Sequence, residues 1–140
     1  MVGNLCTPYY EPGSRVTGRA TGAAVVGKTF VTVAANKDPG SRELDTGATG
    51  GNVKIKTAVA ADATAGKVLG VAEHDAPQDK TTPILAGGFV VPVTAGAALS
   101  AGDLVTAGAN GKAVAAATNR PAGISLSNAA IDQDAIIRLF

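Results

Sequence analysis

Apolar positions recur along this chain in short alternating runs, each cut off by glycine, proline or a polar cluster. The clearest run is Lys28-Thr29-Phe30-Val31-Thr32-Val33. It puts Thr29, Val31 and Val33 on one face and Phe30 and Thr32 on the other. Nearly every residue is β-branched, so the run predicts a strand. Arg15-Val16-Thr17, Val53-Lys54-Ile55-Lys56 and Lys67 to Ala72 also read as strands, with Val53 and Ile55 inward and the two lysines outward. Glu73 to Thr82 is a polar turn, and Pro83 to Ala86 leads back into the body of the chain. Residues 57–66, TAVAADATAG, carry enough alanine for a helix. The short strands on either side, and the interrupting Thr and Val, favour a strand and a turn.

The densest group of elements lies in residues 87–115. Phe89-Val90-Val91 is an extended apolar run, and Pro92 confines it to a sheet edge or a bulge. Leu104-Val105-Thr106 is a second short strand. Asn110-Gly111 is the strongest hairpin signal in the chain, with Lys112 to Ala115 as the return strand. Further on, Asn119-Arg120-Pro121 is a turn and Ala122 to Leu126 alternates. Ile136 to Phe140 forms a last strand so apolar that it must be covered, which predicts a central or closing position. A weak echo links Ala65–Ala72 with Asn110–Lys112 and Pro121–Ser125, and predicts two similar hairpin units. Strands at this spacing give an all-β fold, a small antiparallel β-barrel or β-sandwich. Residues 15–140 read as a single β-domain and residues 1–14 as an extended N-terminal arm.

Two stretches fall outside the periodic pattern. In the arm, Pro8, Tyr9, Tyr10, Glu11 and Pro12 hold both tyrosines of the chain. The rings either pack on the chain's own domain or dock on a neighbouring subunit, since tyrosine suits interfaces. Residues 36–52, NKDPGSRELDTGATGGN, form a loop too polar and too rich in glycine to be buried. With Arg42, Glu43 and Leu44 near its centre, it is a candidate contact loop.

Composition limits what such a domain does. A chain of 140 residues is one domain, yet aromatics make up only 4% of it. A core of Ala, Val and Thr buries little area per residue at about 25 cal/mol per Å². Oligomerisation or attachment to a larger body would therefore add needed stability. The net charge is +1, which is no footprint for nucleic acid. The N-terminus lacks the basic region and apolar core of a signal peptide. No apolar run approaches the roughly 18 residues of a membrane span. The single Cys6 excludes a disulfide within the chain.

Candidate chemistry is sparse. Gly22 to Thr29 fits the phosphate-loop pattern G-x-x-x-x-G-K-[ST]. Such a loop needs a following helix whose N-terminus faces the anion, and here Lys28 opens a strand. His74, the only histidine, lies beside Glu73 and Asp75, whose side chains diverge if the segment is extended. Asp75, Asp79, Asp132 and Asp134 lack calcium-loop spacing. No serine sits in a nucleophile elbow. The sequence therefore predicts no enzyme, no cofactor, no metal and no small-molecule substrate, and favours a binding or structural role.

Several segments carry a family resemblance. They are Tyr9 to Gly13 with Val16-Thr17-Gly18, then Gly27 to Val31, Gly51-Asn52-Val53, Gly70 to Asp75, Gly87 to Val93, and Ala101-Gly102-Asp103 with Gly111-Lys112-Ala113. The chain resembles the capsid decoration, or head-stabilising, proteins of tailed phages infecting actinobacteria. That resemblance implies a β-rich virion protein on the outer surface of an icosahedral shell, present in the host cytoplasm during assembly. It implies homotrimers at threefold and quasi-threefold positions, with the major capsid protein as partner and neither nucleic acid nor membrane. The arm Pro8–Pro12 would then lie on the shell or on a sister subunit. A tail-tube or head–tail connector subunit, and a non-viral binding module, are the competing readings.

Overall fold

The computed structural model describes residues 5–9, 16–36, 52–118 and 120–140. Ten strands form two five-stranded units. The first contains β1 (Val16–Ala20), β2 (Phe30–Val33), β3 (Val53–Thr57), β4 (Val68–Ala72) and β5 (Thr81–Leu85). These close into a barrel in the order β1-β3-β2-β4-β5. All its neighbours are antiparallel except β1 and β3, which run parallel with Gly18 opposite Val53. The second unit contains β6 (Val90–Thr94), β7 (Leu104–Ala107), β8 (Ala113–Ala115), β9 (Gly123–Ser125) and β10 (Asp134–Leu139), in the order β6-β10-β9-β7-β8. The all-β small barrel expected from the alternation is present.

The two units share one circuit. Matching β6 to β1, β7 to β2, β8 to β3, β9 to β4 and β10 to β5 reproduces every pairing. Even the parallel seam recurs, reduced to a single parallel bridge between Ala95 and Ala113. Gly18 lines the closed seam, where an added Cβ would come within 2.8 Å of Ile55 and Ile84. Its counterpart in the second unit is Val93, whose bulk suits the open seam. Of the echo in the sequence, only Val68–Ala72 and Pro121–Ser125 fall at corresponding positions, and the repeat is a whole five-stranded unit, not a hairpin.

The repeat extends to the turns. Four connections have one design among the described residues: a strand, a bridging residue, then a tight turn into the next strand. The bridging residues pair two and two, Val25 with Ala76 and Leu99 with Ala129. Three residues after each bridge the chain enters the left-handed region, at Lys28 (φ 62°), Asp79 (φ 68°), Gly102 (φ 94°) and Asp132 (φ 65°). Each of these residues donates its N–H to the end of a strand of its own unit, to Ala72, Ala20, Ser125 and Ala95 at 2.7–3.0 Å. Side-chain oxygens brace turns in both units. Asp75 accepts from the Gly27 N–H and Asn128 from the Ala101 N–H, both at 2.8 Å. Left-handed backbone costs a non-glycine residue roughly 1 kcal/mol, and these hydrogen bonds offset it.

Strand alternation feeds two cores. Val31, Ile55, Ala72 and Ile84 point into the first barrel and pack with Ala20, Val25 and Ala76. Their strand neighbours Phe30, Val71 and Leu85 point out of it. They join a second cluster with Val91, Val93, Val105, Ile137 and Leu139 of the other unit. Both faces of β2 are therefore buried, which explains its unbroken apolar and β-branched composition. As predicted, β10 is central, between β6 and β9, and β6 with its proline is an edge strand.

The 57–66 stretch departs from expectation. Residues Ala60–Thr64 form a one-turn helix, α1, not a strand. The Asp62 carboxylate accepts from the Val59 N–H at 3.0 Å, and Ala63 is buried in the shared core. Alanine propensity and a local cap prevail here because the segment pairs with no strand.

Gly70 and Gly123 occupy corresponding positions in the two units. A Cβ on Gly123 would sit 2.6 Å from the Arg138 carbonyl oxygen and 2.8 Å from Ile137; one on Gly70 would meet the Leu85 carbonyl and Ile84. Backbone cannot retreat as a side chain does. Gly70→Ala and Gly123→Ala should each lower unfolding free energy by about 3 kcal/mol. Gly22→Ala, in open space at φ 84°, should cost about 1 kcal/mol. Denaturant titration of the three variants measures this, and equal losses would refute it.

Candidate functional site

The chemical candidates resolve into structural roles. Lys28 of the phosphate-loop pattern sits in the turn before β2, and a strand follows it, not a helix. Its Nζ lies 2.9 Å from an Asp134 carboxylate oxygen, and its carbonyl accepts from the Thr94 N–H at 2.9 Å. The residue thus links the first unit to the second. Asp132 pairs with Lys112 at 2.8 Å. Two of the four aspartates weighed as cation ligands therefore hold lysines, and a third, Asp75, braces a turn. The half-buried His74 faces the Asp75 carbonyl through Nδ1 at 2.9 Å, while its N–H is held by Thr82. No group of three metal-ligating residues occurs among the described residues.

The arm is seen at residues 5–9, where it runs along the open edge of β6. That edge presents the carbonyls of Val90 and Pro92 and the N–H of Thr94. Tyr9 donates its N–H to Val90 at 2.6 Å, the Cys6 thiol donates to Pro92 at 3.1 Å, and Thr94 donates to Lys28. The missing N–H of Pro92 would have pointed to this side, away from β10, so proline costs the sheet nothing. Cys6 also donates its N–H to Glu73 and is fully buried. Part of the segment read as an arm thus belongs to the shared core.

Burial pushes the Cys6 thiol up to about 12; Lys28 opposes this, and Glu73 and Asp134 reinforce it. Leu5, Thr7, Pro8 and Tyr9, with Lys28, Pro92 and Asp134, border a groove of about 320 Å³. Leu5 and Tyr9 are 51% and 68% exposed, so the arm shows an apolar edge to its surroundings. Of the predicted contact residues, Pro8 and Tyr9 fall here. Tyr10, Glu11, Pro12, Arg42, Glu43 and Leu44 lie outside the described residues.

A second surface is absent from the predicted set. The outer faces of β7, β9 and β10 align in rungs, with Leu104 opposite Ile124, Ile124 opposite Arg138, and Leu126 bonded to Ile136. Leu104 and Leu126 are about half exposed, while Ile124 and Ile136 are partly so. The stripe continues through Ala122 and Phe140, joined by a 3.0 Å backbone bond, into a cleft of about 340 Å³ between the units. Phe30, Leu69, Arg120 and Pro121 also line that cleft. The alternation of residues 122–126 signals a strand but not which of its faces is buried. Here Gly123 and Ser125 turn inward, and at Gly123 even an added Cβ would meet the Arg138 carbonyl and Ile137. The larger Ile124 and Leu126 face out.

The family model described as phage cement protein matches residues 11–139. The fold is similar to the crystal structure of the head fiber gp8.5 N base of bacteriophage phi29. That match has a TM-score of 0.62 and 18% identity, and covers 91% of this chain and 93% of that one. No curated protein matches significantly.

Four outcomes test these assignments. The native Cys6 thiol should react with an aromatic disulfide reagent at pH 8 at least about 100-fold more slowly than in denaturant. Its raised folded pKa also fixes a sign. Stability is fully present below the unfolded value near 9 and falls as pH rises toward 12, since the unfolded thiol ionises first. Alkaline melts of wild type and Cys6→Ala should show the steeper decline in wild type. Lys28→Ala should cost about 0.5–1 kcal/mol, as expected for a partly exposed ion pair. Calorimetric titration with ATP should show no binding by wild type for that variant to lose.

Proposed function

The chain belongs to the phage cement protein family, and from that premise we propose that it binds the outer surface of an icosahedral capsid. The bound form is a homotrimer at threefold and quasi-threefold positions, where it cements adjacent major capsid subunits. It joins the shell during assembly in the host cytoplasm and remains on the virion. The observation that carries this reading is the family match over almost the whole chain. The molecule's surfaces support it. The polar and charged groups weighed for chemistry are engaged in turns and ion pairs, while an apolar stripe and the arm edge stand exposed.

The physics suits a protein that stabilises by attachment. Any partner that binds only the folded chain raises its apparent stability by mass action. A trimer engaging several shell subunits at once turns modest single contacts into firm attachment, provided its geometry reaches them together. Within this reading the arm contributes Pro8, Tyr9, Tyr10, Glu11 and Pro12 to contacts with the shell or a sister subunit. The loop carrying Arg42, Glu43 and Leu44 contributes another contact. The chain acts as a structural protein with no cofactor.

Light scattering on the purified chain, alone and with shells assembled without it, tests the proposal. Three chains of 13.7 kDa make a trimer of about 41 kDa. The expected result is that mass in solution or on the shell, and saturation at one trimer per threefold position. Sixfold or twelvefold rings that ignore shell faces would overturn it in favour of a tail-tube or connector subunit.

A further inference from the structure

The stripe across β7, β9 and β10 has a chemical character that identifies what covers it. Leu104, Ile124, Leu126 and Ile136 supply apolar surface on strands whose backbones are already paired. Arg138 stands in the middle rung, exposed, between Ile124 on β9 and Val90 on β6. Arg120 stands exposed beside the cleft into which the stripe runs. Neither arginine is among the ion pairs of the described residues. The described acidic side chains of this unit are engaged elsewhere: Asp132 on Lys112, Asp134 on Lys28, and Asp103 on the Ser100 N–H. The unpaired side-chain charge of the surface is therefore cationic on an apolar ground, with Asp134 on the same face of β10 neutralised by Lys28.

We infer that this face and the adjoining cleft form the docking surface for a shell subunit that presents apolar side chains flanked by carboxylates. The inference rests on the shell-binding reading above. Guanidinium groups pair bidentately with carboxylates, and such pairs strengthen when apolar neighbours exclude water. A second copy of this chain is the poorer occupant. The described acidic side chains of this unit are already engaged, so the same face on a sister subunit offers the arginines no free carboxylate. Like charges facing across a contact act against association. Aliphatic surface supplies the area and the two arginines set register, the usual division between the centre of an interface and its charged anchors.

The test uses the full chain and shells purified from particles assembled without it. Arg138→Glu and Leu104→Asp change exposed positions, so both variants should keep the wild-type melting temperature and solution mass. Each should bind the shells at least tenfold more weakly than wild type, and Arg138→Ala should bind with a flatter salt dependence. Lys56→Glu, on the outer face of the first barrel, should bind as wild type does. Wild-type affinity in Arg138→Glu and Leu104→Asp would overturn the assignment while leaving shell binding intact. A changed solution mass in either variant would assign the face to contacts between copies and overturn it as well. Failure of wild type itself to bind shells would overturn the functional reading, and this inference with it.

Discussion

The shared core between the two units is the constraint on which the rest of the molecule depends. Phe30, Val71 and Leu85 leave the first barrel and enter a cluster completed by Val91, Val93, Ile137 and Leu139. Neither unit's strands are fully covered without the other, so the two are not independent beads on a string. The same contact accounts for the difference between them. The first unit closes along β1 and β3 around the small Gly18, while the second keeps an open seam and fills it with Val93. Polar bonds then fix the two units against each other, chiefly those of Lys28 with Thr94 and Asp134.

A core of small side chains makes that register matter. Each alanine or valine buries little area, so stability rests on close approach of backbones. Gly70 and Gly123 sit where a strand passes against the carbonyl of its neighbour, at the same point in each unit. The left-handed turn residues recur with the same regularity. The molecule is consequently rich in glycine and poor in aromatics without being loose. The arm shares this economy: Tyr9 and Cys6 satisfy the Val90 and Pro92 carbonyls on the free edge of β6, and one thiol is buried.

Function follows from what is left over. Within the described residues, Lys28, Asp75, Asp132 and Asp134 are engaged in turns and ion pairs, and the prominent exposed features are surfaces. A weakly charged apolar stripe with two arginines and an arm with an apolar edge are suited to gripping another protein. That agrees with membership of a family of phage cement proteins. It also agrees with a fold similar to the base of a phage head fiber.

The sequence by itself determined the strand-rich class, a strand within 28–33 that the structure places at Phe30–Val33, the hairpin at Asn110-Gly111, a proline confined to an edge or bulge, and a last strand that must be central or closing. These depend on local backbone rules and a period of two, which a single chain displays. It also spoke against the phosphate loop, because the residues after Lys28 favour a strand. Only the tertiary structure decided the rest. Within the 57–66 stretch, Thr57 ended β3 as a strand residue, and Ala60–Thr64 became a helix because those residues pair with no strand. The duplication was nearly invisible because its units share turn geometry and hydrogen bonds, which Lys, Asp and Gly satisfy equally well, and not side chains. Which face of β9 is buried was hidden for a related reason: alternation marks two faces, and packing alone selects the one that meets the core. At Gly123 and Ser125 the small residues went inward, and Ile124 and Leu126 were left outside as part of the proposed docking surface.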